Sequence, residues 1–155
     1  MNILLVNPVR NLSRAPNLPL GYLAAALESA GHKVRVADRA MRGLSKARLH
    51  EIALGQGWDV VGIQVYSCGY EEARCLARAV RAAWPETKIL VGGRHVTALP
   101  EETLLAEAAF DVALVSEAEA SVCRYVEALN EGPDALAQVP NLVYRGASEG
   151  EILRG

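Results

Sequence analysis

A chain of 155 residues, 51% of them hydrophobic, suits one domain with a single apolar core, and needs neither a disulfide framework nor a structural metal to hold it. Its formal net charge of −2, without any basic block, leaves no electrostatic footprint for nucleic acid or an anionic membrane surface. Cys68, Cys75 and Cys123 lack zinc-type spacing and read as buried or half-buried thiols of a reducing compartment; with no leader-like start and no membrane-spanning apolar run, a cytoplasmic protein is expected.

Residues 2–6, NILLV, form a continuous apolar run that suits a strand buried on both faces of a parallel sheet, and Asn7-Pro8 ends it. Residues 9–19 carry two prolines and little periodicity. They predict a strand-to-helix loop longer than the usual ~2–6 residues, which points to function and makes it the expected most mobile part. Residues 20–30 repeat apolar side chains at helical spacing, and Gly31 supplies a left-handed stop. His32 just beyond it reads as a cap on that helix end. Residues 34–37 give a second strand closed by Asp38, an acid placed to meet a ligand hydroxyl, although the first turn has no GxGxxG to support a dinucleotide.

Ser45 caps a helix over 45–54, in which His50 lies among charged residues. Asp59 then leads into VVGIQVYS, the predicted central strand, ended by Tyr66, Ser67, Cys68 and Gly69. Ser67 is placed equally well to bond a ligand and to cap the helix that follows. That helix, 70–84, has Ala73, Leu76, Ala77 and Val80 on one stripe with Arg and Glu opposite, and Pro85 terminates it.

The stretch 88–100, KILVGGRHVTALP, reads as a buried strand that ends at a site. Its Gly92-Gly93 pair removes two Cβ atoms where the backbone must turn or admit a close neighbour, and a polar turn with Arg94, His95 and Thr97 follows. A short helix over 101–109, a fifth strand over 111–115 and a helix over 116–130 complete the pattern, with Ser116, Glu117 and Glu119 suited to the helix start. NLVYR and EILR, joined by a glycine-bearing turn, then predict a β-hairpin. Five strand–helix units imply a flavodoxin-like or Rossmann-like doubly wound parallel sheet of order 2-1-3-4-5, followed by that hairpin. Residues 1–132 make the α/β domain and 133–155 a linker and hairpin.

Ligands of such sheets bind outside the carboxyl ends of the strands. That edge collects Asn7, Leu20 and Gly21, then Tyr66, Ser67 and Cys68, then Gly92, Gly93, Arg94 and His95, then Ser116 and Glu117. Cys68 with His95 is the sole nucleophile–base pair available there, so a self-contained hydrolase is not expected. No P-loop, flavin-phosphate loop or phosphoacceptor Asp is present at the relevant turns.

ILLVNP, LPLGYLAAALESAGHKV with Asp38, DVVGIQVYS, VGGRHVTALPEE, SEAEAS and the NLVYR hairpin, taken together, resemble the N-terminal cobalamin-binding domain of the cobalamin-dependent radical S-adenosylmethionine enzymes. That family includes many methyltransferases. The resemblance spans nearly the whole chain, and VGGRHVTALPEE is its most specific part. It implies a corrin ring across the carboxyl edge, with the nucleotide tail passing between the sheet and a helix along Ser67 and Gly92-Gly93. It implies cobalamin as cofactor, no turnover by this chain alone, and a radical catalytic domain as partner, to which the iron–sulfur cluster and S-adenosylmethionine belong. Two departures stand out: Ser116-Glu117-Ala118-Glu119 replaces the family's G-E-G-E, and the cluster-binding CxxxCxxC is not in this sequence. The alternatives are a stand-alone interaction or regulatory domain that has lost the ligand, and a small enzyme built on Cys68 and His95. No histidine lies between Asn7 and Gly21, where other corrinoid domains carry the cobalt ligand, so no protein ligand to the metal is expected. An apolar surface patch is expected where the catalytic domain would dock.

Overall fold

Among the residues that the computed structural model describes, 1–10, 17–41, 43–148 and 150–155, seven strands form one sheet. They are β1 (Asn2–Asn7), β2 (Lys33–Asp38), β3 (Val60–Gln64), β4 (Lys88–Gly92), β5 (Val112–Leu114), β6 (Leu142–Arg145) and β7 (Ile152–Arg154), in the order β2-β1-β3-β4-β5-β6-β7. The first five are parallel, as expected of successive right-handed strand–helix units. β6 and β7 form the hairpin, and β6 pairs antiparallel with β5, so the hairpin extends the same sheet.

Alternation along the central strands sends side chains to two separate cores. Leu4, Val6, Val61, Ile63, Ile89 and Val91 pack on one face beneath α2 (Lys46–Leu54), α3 (Tyr70–Ala83), α4 (Arg94–Ala98) and α5 (Pro100–Ala106). Ile3, Leu5, Val60, Leu90, Val112 and Leu114 pack on the other, beneath α1 (Leu18–Ser29), α6 (Glu119–Glu131) and a 3-10 turn at Pro133–Gln138. Burial on both faces explains why these strands are apolar throughout. Among the described residues no helix is long and apolar enough to cross a membrane.

The second layer is pinned by arginines. Glu107 is buried, and it accepts bonds from Arg74 Nε at 3.0 Å and the Ala109 amide at 3.1 Å, with Arg78 Nε at 2.8 Å. Arg145 on β6 donates to the carbonyls of Leu104, Glu107 and Phe110, which fastens the hairpin to the turn between α5 and β5. Burial pushes the Glu107 carboxyl upward, but the Arg74 and Ala109 bonds and the charges of both arginines outweigh it and hold the group below its usual range.

Several expectations are corrected. The polar turn after Gly93 is the helix α4, which a segment this short does not announce through periodicity. Ser116 and Glu117 precede α6 rather than open it, and the residue at the helix boundary, Ala118, makes no side-chain cap bond. Ser116 takes φ 59° and donates its amide to Thr97 Oγ1 at 3.1 Å, so the turn is fixed by a tertiary bond that local capping signals do not reveal. His32 Nδ1 lies 3.3 Å from the amino terminus of Met1, so its side chain does not cap α1. Cys68 and Cys75 are exposed and only Cys123 is half-buried, where burial pushes its thiol upward. The greater part of the long loop, residues 11–16, lies outside the described residues.

Glu107→Gln keeps the shape but removes the charge from a buried site that three groups were arranged to meet. It should lower unfolding free energy at neutral pH by about 1.5–3 kcal/mol in urea titration. Because the folded-state pKa is depressed, this contribution is complete above the unfolded carboxyl's pKa of about 4.3 and is lost as pH falls below it. The gap between wild type and variant should therefore narrow from pH 5 towards pH 3. At residue 116 a left-handed backbone strains any side chain, and Ser116→Gly should stabilise by about 0.5–1 kcal/mol in the same assay.

Candidate functional site

The carboxyl edge of the sheet opens into a cavity of about 260 Å³ between the α1/α6 face of the sheet and those helices. Its floor lies at the middle of β3. Gly62 stands there between Leu5 of β1 and Leu90 of β4 in register, both of which contribute side chains to the core on this face, as does Val60. A Cβ at Gly62 would come within 2.8 Å of Leu5 Cδ2, so the end of the Leu5 side chain lies over the glycine, and a larger residue at 62 would push it towards the cavity. Leu20 and Leu23 of α1 and Leu114 of β5 form the walls, with Gly92, Gly93, Ser116, Glu117, Ala118 and Glu119 along the opening.

The opening is built by the chain's turn chemistry. Asn17 caps α1, its side-chain oxygen accepting from the Leu20 amide at 3.3 Å, and Pro19 occupies the first turn, where its lack of an N–H costs nothing. The Asn17 side-chain amide also donates to Gln64 Oε1, which ties the start of α1 to the end of β3 beside the cavity. Gly93 has φ 105°, and a Cβ on it would sit 2.9 Å from the Val65 carbonyl oxygen; no other residue passes there.

Beside the cavity a second cluster forms. Ser67 Oγ and His95 Nδ1 are 3.0 Å apart, the imidazole lies 4.7 Å from the Tyr70 ring, and Arg74 sits 5.6 Å from the other end of that contact, over the Tyr70 ring. Burial, the largest influence, pushes the Tyr70 hydroxyl upward. Ser67 makes no cap bond to α3; its hydroxyl serves His95 instead. The partner recorded for His95 is thus Ser67, and not Cys68 as a thiol-based enzyme would require.

Of the residues expected at the edge, Leu20, Gly92, Gly93, Ser116 and Glu117 line the cavity. Ser67 and His95 form the neighbouring cluster, with Tyr66 half-buried and Cys68 and Arg94 exposed nearby in sequence. Gly21 is exposed on α1 with no atom near its missing Cβ. Asn7 is fully buried and internally committed: it donates to Asp38 Oδ1 at 2.8 Å and accepts from the Val9 amide at 3.1 Å. Asp38 also accepts from the Ala40 amide through Oδ1 and is only 4% exposed, so it braces β1 against β2, while its Oδ2 is buried without a hydrogen-bond partner among the described residues. Sequence reasoning passed over Gly62 and Gln64, and met Asn17 only as a polar residue of the 9–19 loop. A lone glycine inside VVGIQV was the available signal for the cavity floor. Among the described residues no group of three or more His, Cys, Asp or Glu side chains is placed to hold a metal ion.

Comparison with known proteins gives this geometry a family. An uncharacterized methyltransferase of Pyrococcus horikoshii is 27% identical over 117 residues, which are 76% of this chain and 25% of that protein. The radical S-adenosylmethionine methyltransferase TsrM from Kitasatospora setae, solved with cobalamin and a 4Fe-4S cluster bound, matches with a TM-score of 0.81 at 23% identity, over 99% of this chain and 28% of its own. The cobalamin-dependent S-adenosylmethionine radical enzyme OxsB, solved with aqua-cobalamin bound, matches at 0.81 and 19% identity, over 98% of this chain and 22% of its own. At such identities the two structures establish a shared fold, and this chain spans between 22% and 28% of the length of these three relatives. A family model described as the B12 binding domain matches residues 11–126, a span that holds Gly62, the Gly92-Gly93 turn and the Ser116–Glu119 rim. The chain therefore belongs to the B12-binding domain family, whose cofactor is cobalamin.

Proposed function

We propose that this chain is the cobalamin-holding part of a larger radical S-adenosylmethionine enzyme of methyltransferase type, with no turnover by itself. The observation that carries the reading is the apolar cavity over Gly62, open at the carboxyl edge of a doubly wound sheet. The residues fit the cofactor: a bulky aromatic tail needs a gap in an otherwise close-packed layer, and the cavity lined by Leu5, Leu20, Leu23, Gly62 and Leu90 is such a gap. Leu20, Leu23, Gly62, Gly92 and Gly93 would hold the tail, while Ser67 and His95 would face the ring side of the edge. When bound, cobalamin supplies a cobalt centre that can carry a methyl group. The chain's own residues bind and orient it and exclude water from the tail.

In this reading residues 1–132 hold the cofactor, and residues 133–155 lead to a catalytic domain that contributes the iron–sulfur cluster and S-adenosylmethionine. The setting is cytoplasmic. His95 has its Nδ1 beside Ser67 and its ring against Tyr70, which suits a positioning contact and not a cobalt ligand.

Titration with hydroxocobalamin should give a saturable spectral change, and a folded sample that gives none would refute the reading. Gly62→Val should weaken binding at least tenfold with the far-ultraviolet circular dichroism unchanged, and Gly62→Ala should weaken it less; equal affinity in both would remove the tail from this cavity. Electron paramagnetic resonance of the cob(II)alamin form should be the same in wild type and His95→Ala. Nitrogen superhyperfine splitting present only in wild type would make His95 the ligand.

A further inference from the structure

We infer that the cavity selects among corrinoids by the base that ends the nucleotide tail, accepting a benzimidazole-type base and discriminating against a purine. The inference rests on the cobalamin reading and deepens it. Polar lining groups stand at the opening: Gln64 is the last residue of β3, and Ser116, Glu117 and Glu119 follow β5. Leu5, Gly62 and Leu90 lie two residues further down their strands than the edge, which is about 6–7 Å deeper at the rise of a β-strand. The strand amides and carbonyls at that depth are engaged in the parallel ladder, and the facing helix offers Leu20 and Leu23.

Such a pocket takes a flat apolar ring system readily. Apolar cavities of roughly 150 Å³ admit benzene, and about 260 Å³ leaves room for two fused rings. A benzimidazole carries its methyl groups and carbocycle into that depth at no polar cost. Adenine would carry an exocyclic amine and further ring nitrogens past Gln64 into a space where the described lining side chains, Leu5, Leu20, Leu23 and Leu90, cannot pair with them. Leaving one such group unpaired weakens binding by about tenfold to a hundredfold. Discrimination of this kind arises from what the pocket lacks.

The test is equilibrium binding of three probes to the purified chain, followed by absorbance: cobalamin, the cobamide bearing adenine as its lower base, and cobinamide, which has no nucleotide tail. Cobalamin should bind at least tenfold more tightly than the adenine cobamide, and also more tightly than cobinamide. Equal affinities for cobalamin and the adenine cobamide would overturn the selectivity while leaving cobalamin binding intact. No binding of any probe would overturn the functional reading and the selectivity with it. Leu23→Gln, at a half-buried wall position that should tolerate an amide, adds a hydrogen-bonding group to the cavity and should narrow the ratio at least threefold. An unchanged ratio in a folded Leu23→Gln variant counts against the inference.

Discussion

A single missing side chain in the central strand sets the shape of the site. β3 is buried from end to end, and at its midpoint Gly62 faces the α1/α6 layer between two leucines. Protein interiors close to crystalline density, so a void of this size beneath two helices persists only if the surrounding backbone is held apart by other means. The backbones of Leu5 and Leu90 are fixed by the sheet ladder, and the end of the Leu5 side chain lies over Gly62. α1 and α6 are held over the same face by Leu27, Tyr125 and Val126, all fully buried. Those contacts lie towards the opposite end of the sheet from the opening. The layer therefore closes firmly at one end and stays open at the other.

The other face has the opposite task. Beneath α2 and α3 the core is continuous through Leu49, Trp58, Leu76, Val80 and Phe110, and the Glu107 cluster with Arg145 ties the hairpin to the α5–β5 turn. A buried carboxylate held by two arginines adds little stability against an apolar substitute, but it fixes one geometry strongly. Here the fixed geometry is the approach of β6 to β5, and β5 carries Leu114 and the Ser116 turn at the cavity wall. Rigidity on one face thereby maintains an opening on the other.

The strands were legible in the sequence because burial on two faces writes an apolar run, and their order followed from the count of strand–helix units. The glycine pair was legible for the same reason, since Gly93 has a backbone conformation and a neighbour that exclude any Cβ. Gly62 was a weaker signal. A glycine inside an apolar strand says that no side chain fits, but whether a neighbour or a void takes the space depends on what the crossover helix brings above it. The same limit hid α4, too short for a period, and the Asn17–Gln64 bond, whose partners are far apart in the chain. The bond between Asn7 and Asp38 was equally hidden, because a polar residue at a strand end gives the same signal whether it braces a neighbouring strand or meets a ligand.

The turn at Ser116 is held by tertiary contacts and not by its own backbone preference. Where relatives of this resemblance carry glycine, this chain places a serine in the left-handed region, and the Thr97 hydroxyl accepts its amide. The path of the chain past the cavity is thus set by β5 on one side and α4 on the other, and the residue conforms to it at some cost in strain. A local preference has yielded to two tertiary anchors. The consequence reaches Glu117, which follows this turn and stands exposed at the rim of the cavity.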